Sequence, residues 1–267
     1  MKKFFGHKLC ASLVLAFLFS LIPLNAFAAT SHVFVNGNSE DLYVASGSKS
    51  STNGTATYTA STKTLTLKNY SGKTIASDVD GLKIVSNGSN RIIADAGKAA
   101  ISVKNGSLTI SGGSLNLGSA ALVVENGNLT VENINLTASS IGLTDTDSTV
   151  QNKITIGNGA IISLSGAMTA QYSFNATTKG IVLNSSICVS PSAEIKNIKS
   201  GSLTVSTFTA NGTSKLNNFS LSSSNCAASG NGGTVENPDT IDTVYIYVAI
   251  LVASSAILLY RRHIVKR

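Results

Sequence analysis

The amino-acid sequence predicts an all-β fold: a single right-handed parallel β-helix of about 21 residues per coil, followed by one C-terminal transmembrane helix. Three observations carry this expectation. Ile101/Val103, Leu108/Ile110, Leu115/Leu117, Leu122/Val124 and Leu129/Val131 are apolar pairs that each begin seven residues after the last. Residues i and i+2 lie about 200° apart on an α-helix but point the same way on a strand, so the pairs belong to strands. The stretch KNGSLTI at 104–110 returns as ENGNLTV at 125–131, so three strand-and-turn units make one coil. Charged residues are only 12% of the chain, with 3 prolines, as suits strands stacked in ladders.

Taken in order, residues 1–28 have Lys2, Lys3 and Lys8, then an apolar run, then Ala26-Phe27-Ala28. A basic start, a short apolar core and a small-x-small site predict a secretory signal peptide. Residues 29–58, with Phe34, Tyr43 and Tyr58, are expected to cap the first coil, because the end of a strand stack must be covered. Residues 59–225 are assigned to the β-helix, with room for roughly eight coils stacked about 4.8 Å apart. The pairs continue as Leu65/Leu67, Leu82/Ile84, Ile154/Ile156, Ile181/Leu183 and Leu203/Val205. Asn105-Gly106 and Asn126-Gly127 should stack at one corner, Gly supplying a positive φ and Asn tolerating it. An antiparallel sandwich is the competing fold, since Asn-Gly also marks hairpins.

Residues 226–242 are rich in Gly, Ser and Asn and read as a flexible stalk. Residues 243–260 carry no charge, and as a helix they would measure about 27 Å, enough to span a thin hydrocarbon core. Tyr245, Tyr247 and Tyr260 fall near the ends of that span, and four Lys/Arg in 261–267 place the tail in the cytoplasm. The formal charge of +7 comes from these two ends: Ala29 to Thr240 holds 13 Lys/Arg and 12 Asp/Glu. Basicity is therefore no argument for a nucleic-acid partner, which is set aside. Cys188 and Cys226 lie in the exported segment, where a disulfide is permitted. The sequence leaves a bridge and two free thiols as alternatives.

The segment TYTASTKTLTLKNYSGKTIASDVDGLKIVSNGSNRI, 57–92, resembles the opening of repeat domains in surface proteins of Gram-positive bacteria. That resemblance extends through the coils to about residue 137 and implies a β-helix with a sugar-facing role. The C-terminus resembles a sortase sorting signal: a pentapeptide, an apolar span and a basic tail. Its pentapeptide is Asn237, Pro238, Asp239, Thr240 and Ile241. Pro238 and Thr240 match Leu-Pro-x-Thr-Gly, and Asn237 also fits an Asn-Pro-x-Thr form, while Ile241 departs from both. The resemblance implies sortase and peptidoglycan as partners beside the cytoplasmic membrane.

Between His32 and His263 there is no histidine, which excludes Ser/His/Asp and Cys/His devices across the coils. Carboxylates remain. Asp78, Asp80 and Asp95, with Arg91, the one arginine between 29 and 240, lie within less than one coil. They would suit calcium and an acidic sugar; the alternative is an ordinary polar turn. Asp145 and Asp147 form a second calcium candidate, against a solvated corner loop. Neutral sugars favour aromatic platforms; there is no Trp, Tyr70 is a lone candidate, and Tyr172/Phe174 reads better as a core pair. These residues predict a non-catalytic surface protein that binds or displays an extracellular polysaccharide, with no cofactor beyond calcium. A structural coat or spacer and a calcium-dependent polyuronide lyase are the alternatives.

Overall fold

The structure is a computed structural model that describes residues 31–43, 48–50, 54–210 and 214–226. It is an all-β solenoid of about four turns, in which each coil crosses three faces. The first face stacks Ile75–Ser77, Ile101–Lys104, Ala121–Glu125, Ser140–Asp145 and Met168–Tyr172 in parallel. The second stacks Thr64–Lys68, the first halves of Leu82–Ile92 and Leu108–Asn116, then Leu129–Glu132, Ile154–Ile156 and Ile181–Leu183. The third holds Ser71–Gly72, the second halves of the two long strands, Asn135–Ala138 and Ile161–Leu164.

Period-two patterning puts one side of every strand inward, and the inward residues stack in columns. On the second face Leu65, Ile84, Ile110, Val131, Ile156 and Leu183 are successive register partners. All six are buried. The first face does the same with Ile75, Ile101, Leu122, Ile141 and Met168. All ten apolar residues of the seven-residue repeat are buried. Leu108–Asn116 serves two faces because it bends at Gly112-Gly113, where its register shifts. Gly112 has φ +94°, and a Cβ there would overlap the Ser86 carbonyl.

Coil length is less regular than the repeat suggested. Leu108 pairs with Leu129, 21 residues on. The next step on the first face, Leu122 to Ile141, takes 19, and Ile154 to Ile181 takes 27. The expectation of eight coils is therefore corrected to about four. Longer corners use up chain, and both ends are antiparallel rather than coiled. Val33–Val35 pairs antiparallel with Ile75–Ser77, and Thr55–Thr59 with Thr64–Lys68, covering one end. At the other, Glu194–Ser200 and Leu203–Ala210 form a hairpin that runs antiparallel to Met168–Tyr172. Leu203/Val205 is consequently not a core pair. Thr204, Ser206 and Phe208 are buried instead, as are Thr207 and Thr209, and the Thr204 and Ser206 hydroxyls accept hydrogen bonds from the Ala176 and Gly180 amides. Phe219–Ser222 slots antiparallel between Ile161–Leu164 and Cys188–Ser190, closing the third face.

Cys188 and Cys226 are joined by a disulfide across 38 residues, so the bridge encircles this antiparallel closure. Among the described residues no helix is long and apolar enough to cross a membrane; residues 1–28, 227–242, 243–260 and 261–267 lie outside them.

Two stability outcomes follow from this packing. Leu136 is buried and its neighbour Asn135 exposed on the same strand. Leu136→Asp strands a charge in the core and should cost several kcal/mol in urea unfolding, whereas Asn135→Asp should cost under about 1 kcal/mol; equal losses would contradict the assigned faces. Cys226→Ser, or reduction of the wild type, should lower unfolding free energy by about 2–4 kcal/mol, the usual range for a closed loop of this size. An unchanged midpoint would mean the closure holds without its bridge.

Candidate functional site

The corner between the first and second faces is built by side chains that accept backbone amides from the next coil. Asp80 Oδ1 accepts from the Ser107 amide at 2.8 Å. Ser107 Oγ accepts from Asn128 at 3.1 Å, and Asn128 Oδ1 from Lys153 at 2.9 Å. A parallel chain of amides runs beside it: Asn126 Nδ2 donates to Asn105 Oδ1 at 3.0 Å, and Thr146 donates twice to Asn126 Oδ1. The expected division of labour between Asn and Gly is reversed. Asn105 and Asn126 hold the positive φ, at 53° and 52°. Gly127 is needed for close approach, since a Cβ there would overlap the Gly106 carbonyl.

This accounting separates the carboxylates grouped by sequence. Asp80 is the first rung of the corner. Asp78, also exposed, accepts from the His32 amide of the N-terminal strand. Asp95 lies past the third face and pairs with Lys73 at 3.3 Å. Asp145 is buried and closes an inserted loop: Oδ2 accepts from the amide and side chain of Asn152 at 2.9 and 3.0 Å, and Oδ1 from the Asp147 amide. It is not part of a solvated corner. Asp147 accepts two bonds from Thr149, which hold its carboxyl below the usual range. Among the described residues, no three of His, Cys, Asp and Glu are grouped to hold a metal ion. The calcium sets drawn from sequence are not assembled, because each carboxylate serves the backbone or a lysine.

The aromatic candidates are internal. Tyr70 is fully buried, its hydroxyl has no hydrogen-bond partner of normal geometry among the described residues, and burial raises its pKa. It is not a surface platform. Tyr172 is also buried, packs 5.4 Å from Phe174, and donates to the Asn152 carbonyl at 2.6 Å; desolvation pushes its pKa up to about 12. His32 is occupied at the N-terminal cap, with Nδ1 2.7 Å from Asp41 Oδ2 and its ring stacked on Phe34. Burial opposes ionisation of Asp41, but hydrogen bonds from His32 and the Tyr43 amide outweigh it and hold the carboxyl below its usual range. The sorting-like residues Asn237, Pro238, Asp239, Thr240 and Ile241 lie outside the described residues.

The third face differs from these corners. Its outward register partners form one column: Ser71, Arg91, Asn116, Thr137, Ser163, Ser220 and Ser190. Every member is polar, and Arg91 is the only charge. At the usual strand spacing the column runs about 29 Å. Its far end opens into a groove of about 490 Å³, lined by Gly118, Thr137, Ser163, Ser165, Ser190, Asn218 and Ser220, with Ala138, Leu164 and Phe219 between them. No lining side chain is titratable. Asn116 positions the rim, accepting from the Gly118 amide at 2.8 Å. Of the sequence-predicted site residues, Arg91 alone belongs to this face. The groove escaped sequence reading because Ser190, Asn218 and Ser220 reach it only through the antiparallel closure. The Ser200-Gly201 turn signals only the neighbouring hairpin of Glu194–Ser200 and Leu203–Ala210, and no local pattern marks the strand that walls the groove.

No known protein family, characterised protein or solved structure matches the chain.

The corner account makes a direct prediction for Asp80. Asp80→Asn keeps an acceptor for the Ser107 amide and should leave thermal stability nearly unchanged. Asp80→Ala removes it and should cost about 1 kcal/mol. If calcium instead were bound here, added calcium would raise the melting temperature of the wild type and Asp80→Asn would abolish the rise.

Proposed function

We propose that this chain is a non-catalytic cell-surface protein whose solenoid binds or displays carbohydrate. The observation that supports this is the hydroxyl- and amide-lined groove at the end of the third face. Ser, Thr and Asn side chains both donate and accept hydrogen bonds, as the hydroxyls of a sugar do. General acid–base chemistry needs a titratable group in reach of the substrate, and the groove lining contains none. That favours holding a glycan over cleaving it, and sets the lyase reading behind the binding one.

On this reading the signal peptide at 1–28 exports the chain, and 243–260 hold it at the outer face of the cytoplasmic membrane, with 261–267 inside. The pentapeptide at 237–241 would be the point at which a sortase transfers it to peptidoglycan. The coils wind right-handed, the usual hand of parallel crossovers.

A glycan array probed with the full-length chain in detergent micelles tests the function. The expected result is retention of a subset of glycans with their masses unchanged, lost when Ser163→Trp fills the groove. No retention on any glycan would move the reading to a coat or spacer. Shortened glycans with new unsaturated ends would move it to a lyase.

A further inference from the structure

The column on the third face is longer than its groove, and this bears on the kind of ligand it takes. Seven register rows, Ser71 to Ser190, exceed what one sugar ring can cover. Five of the seven are Ser or Thr, and the column is continued without a break through the coil-to-coil pairing. A ligand using more than the groove must therefore be a chain lying along the solenoid axis.

Charge adds a second feature. Arg91 is exposed, two rows from the groove-lining Thr137, or about 10 Å along the axis. Its guanidinium is in no ion pair among the described residues. The nearest acid in sequence, Asp95, is paired with Lys73 instead. A planar fork of donors on an otherwise uncharged face suits a carboxylate, which it can bind with two parallel hydrogen bonds.

The third feature is apolar. Ile93 and Ile161 are 53% and 47% exposed. Ile93 follows Arg91 by two residues, and Ile161 precedes Ser163 by two, so both point outward on this face. A row of hydroxyls flanked by exposed aliphatic side chains matches a pyranose chain, which has polar edges and C–H faces.

We infer that the third face takes a linear uronate-bearing polysaccharide lengthwise, with uncharged sugar edges in the groove and a carboxylate of the same chain on Arg91, and with no calcium between them. This rests on the carbohydrate-binding reading and narrows it to a polymer class. Calcium has no part because Asp78 and Asp80, the carboxylates grouped with Arg91 by sequence, hold backbone amides at the opposite corner of the coil.

The test uses the full-length chain in detergent micelles, EDTA throughout, and four probes: polygalacturonate, its methyl ester, a galacturonate trimer and the glycan array. Polygalacturonate is expected to bind about tenfold more tightly than the methyl ester, the range of a hydrogen bond to a charged group. The trimer should bind more weakly than the polymer. Arg91→Ala should erase the preference for the acid form, and Arg91→Lys should restore it only in part. Lys83→Ala, an exposed charge on the second face, should leave it intact. Equal binding of acid and ester, or of trimer and polymer, overturns the inference but leaves the carbohydrate reading standing. So does binding of other array glycans with no polygalacturonate binding. Loss of preference in Lys83→Ala as well as Arg91→Ala would reduce the effect to general charge and also overturn it. An empty array overturns the underlying reading itself.

Discussion

Backbone hydrogen bonds between successive coils are what the rest of this structure depends on. Each coil pairs along its strands with the coils on either side, so register is inherited from turn to turn: Leu82 sets Leu108, which sets Leu129, then Ile154 and Ile181. Because side chains alternate along a strand, a slip of one residue would turn an inward column out to water. The apolar columns and the amide ladders therefore enforce one another. Neither would persist alone in a chain with so few charged residues and so many Ser and Thr.

Corners are the weak point of such a stack, since backbone amides that turn away from a sheet lose their partners. Here the corner between the first and second faces is bridged by Asp80, Ser107 and Asn128, each accepting the amide of the coil above. The same corner absorbs the longer coils. Where residues 146–153 are inserted, Asp145 is buried beneath them and accepts from the loop it closes. Asp78, Asp80, Asp145 and Asp147, which looked like ligands in the linear sequence, each accept a backbone amide, while Asp95 pairs with Lys73.

The third face differs from that corner in presenting an outward row that is polar throughout. Register pairing from coil to coil lines up its outward Ser, Thr, Asn and Arg91, and of these Asn116 also holds the Gly118 amide at the turn. Antiparallel closure by Phe219–Ser222 and Cys188–Ser190 extends that row and shapes its end into a groove. The disulfide secures the segment that forms the groove wall. The disulfide and the groove thus belong to the same C-terminal closure of the solenoid.

The sequence by itself determined the all-β solenoid class and, for residues 101–131, which residues point inward and how the coils are phased. Ten apolar positions in pairs two apart admit strands and reject helices, and the 21-residue echo from KNGSLTI to ENGNLTV sets which residue lies over which. It also showed that no histidine serves the coils. What only the tertiary structure decided is where polar residues spend their hydrogen bonds. Asp78, Asp80, Arg91 and Asp95 are close in number but fall on different faces and corners, because one coil turns fully around the axis in fewer than thirty residues. Leu203/Val205 continued the apolar rhythm, yet the chain had reversed direction, and Thr204, Ser206 and Phe208 became the inward side. The groove joins residues from 118 to 220, and no local pattern encodes an assembly of that span. Periodicity is a local property that the pleat enforces residue by residue; a site is a convergence of distant segments, and only closure of the coil stack creates it.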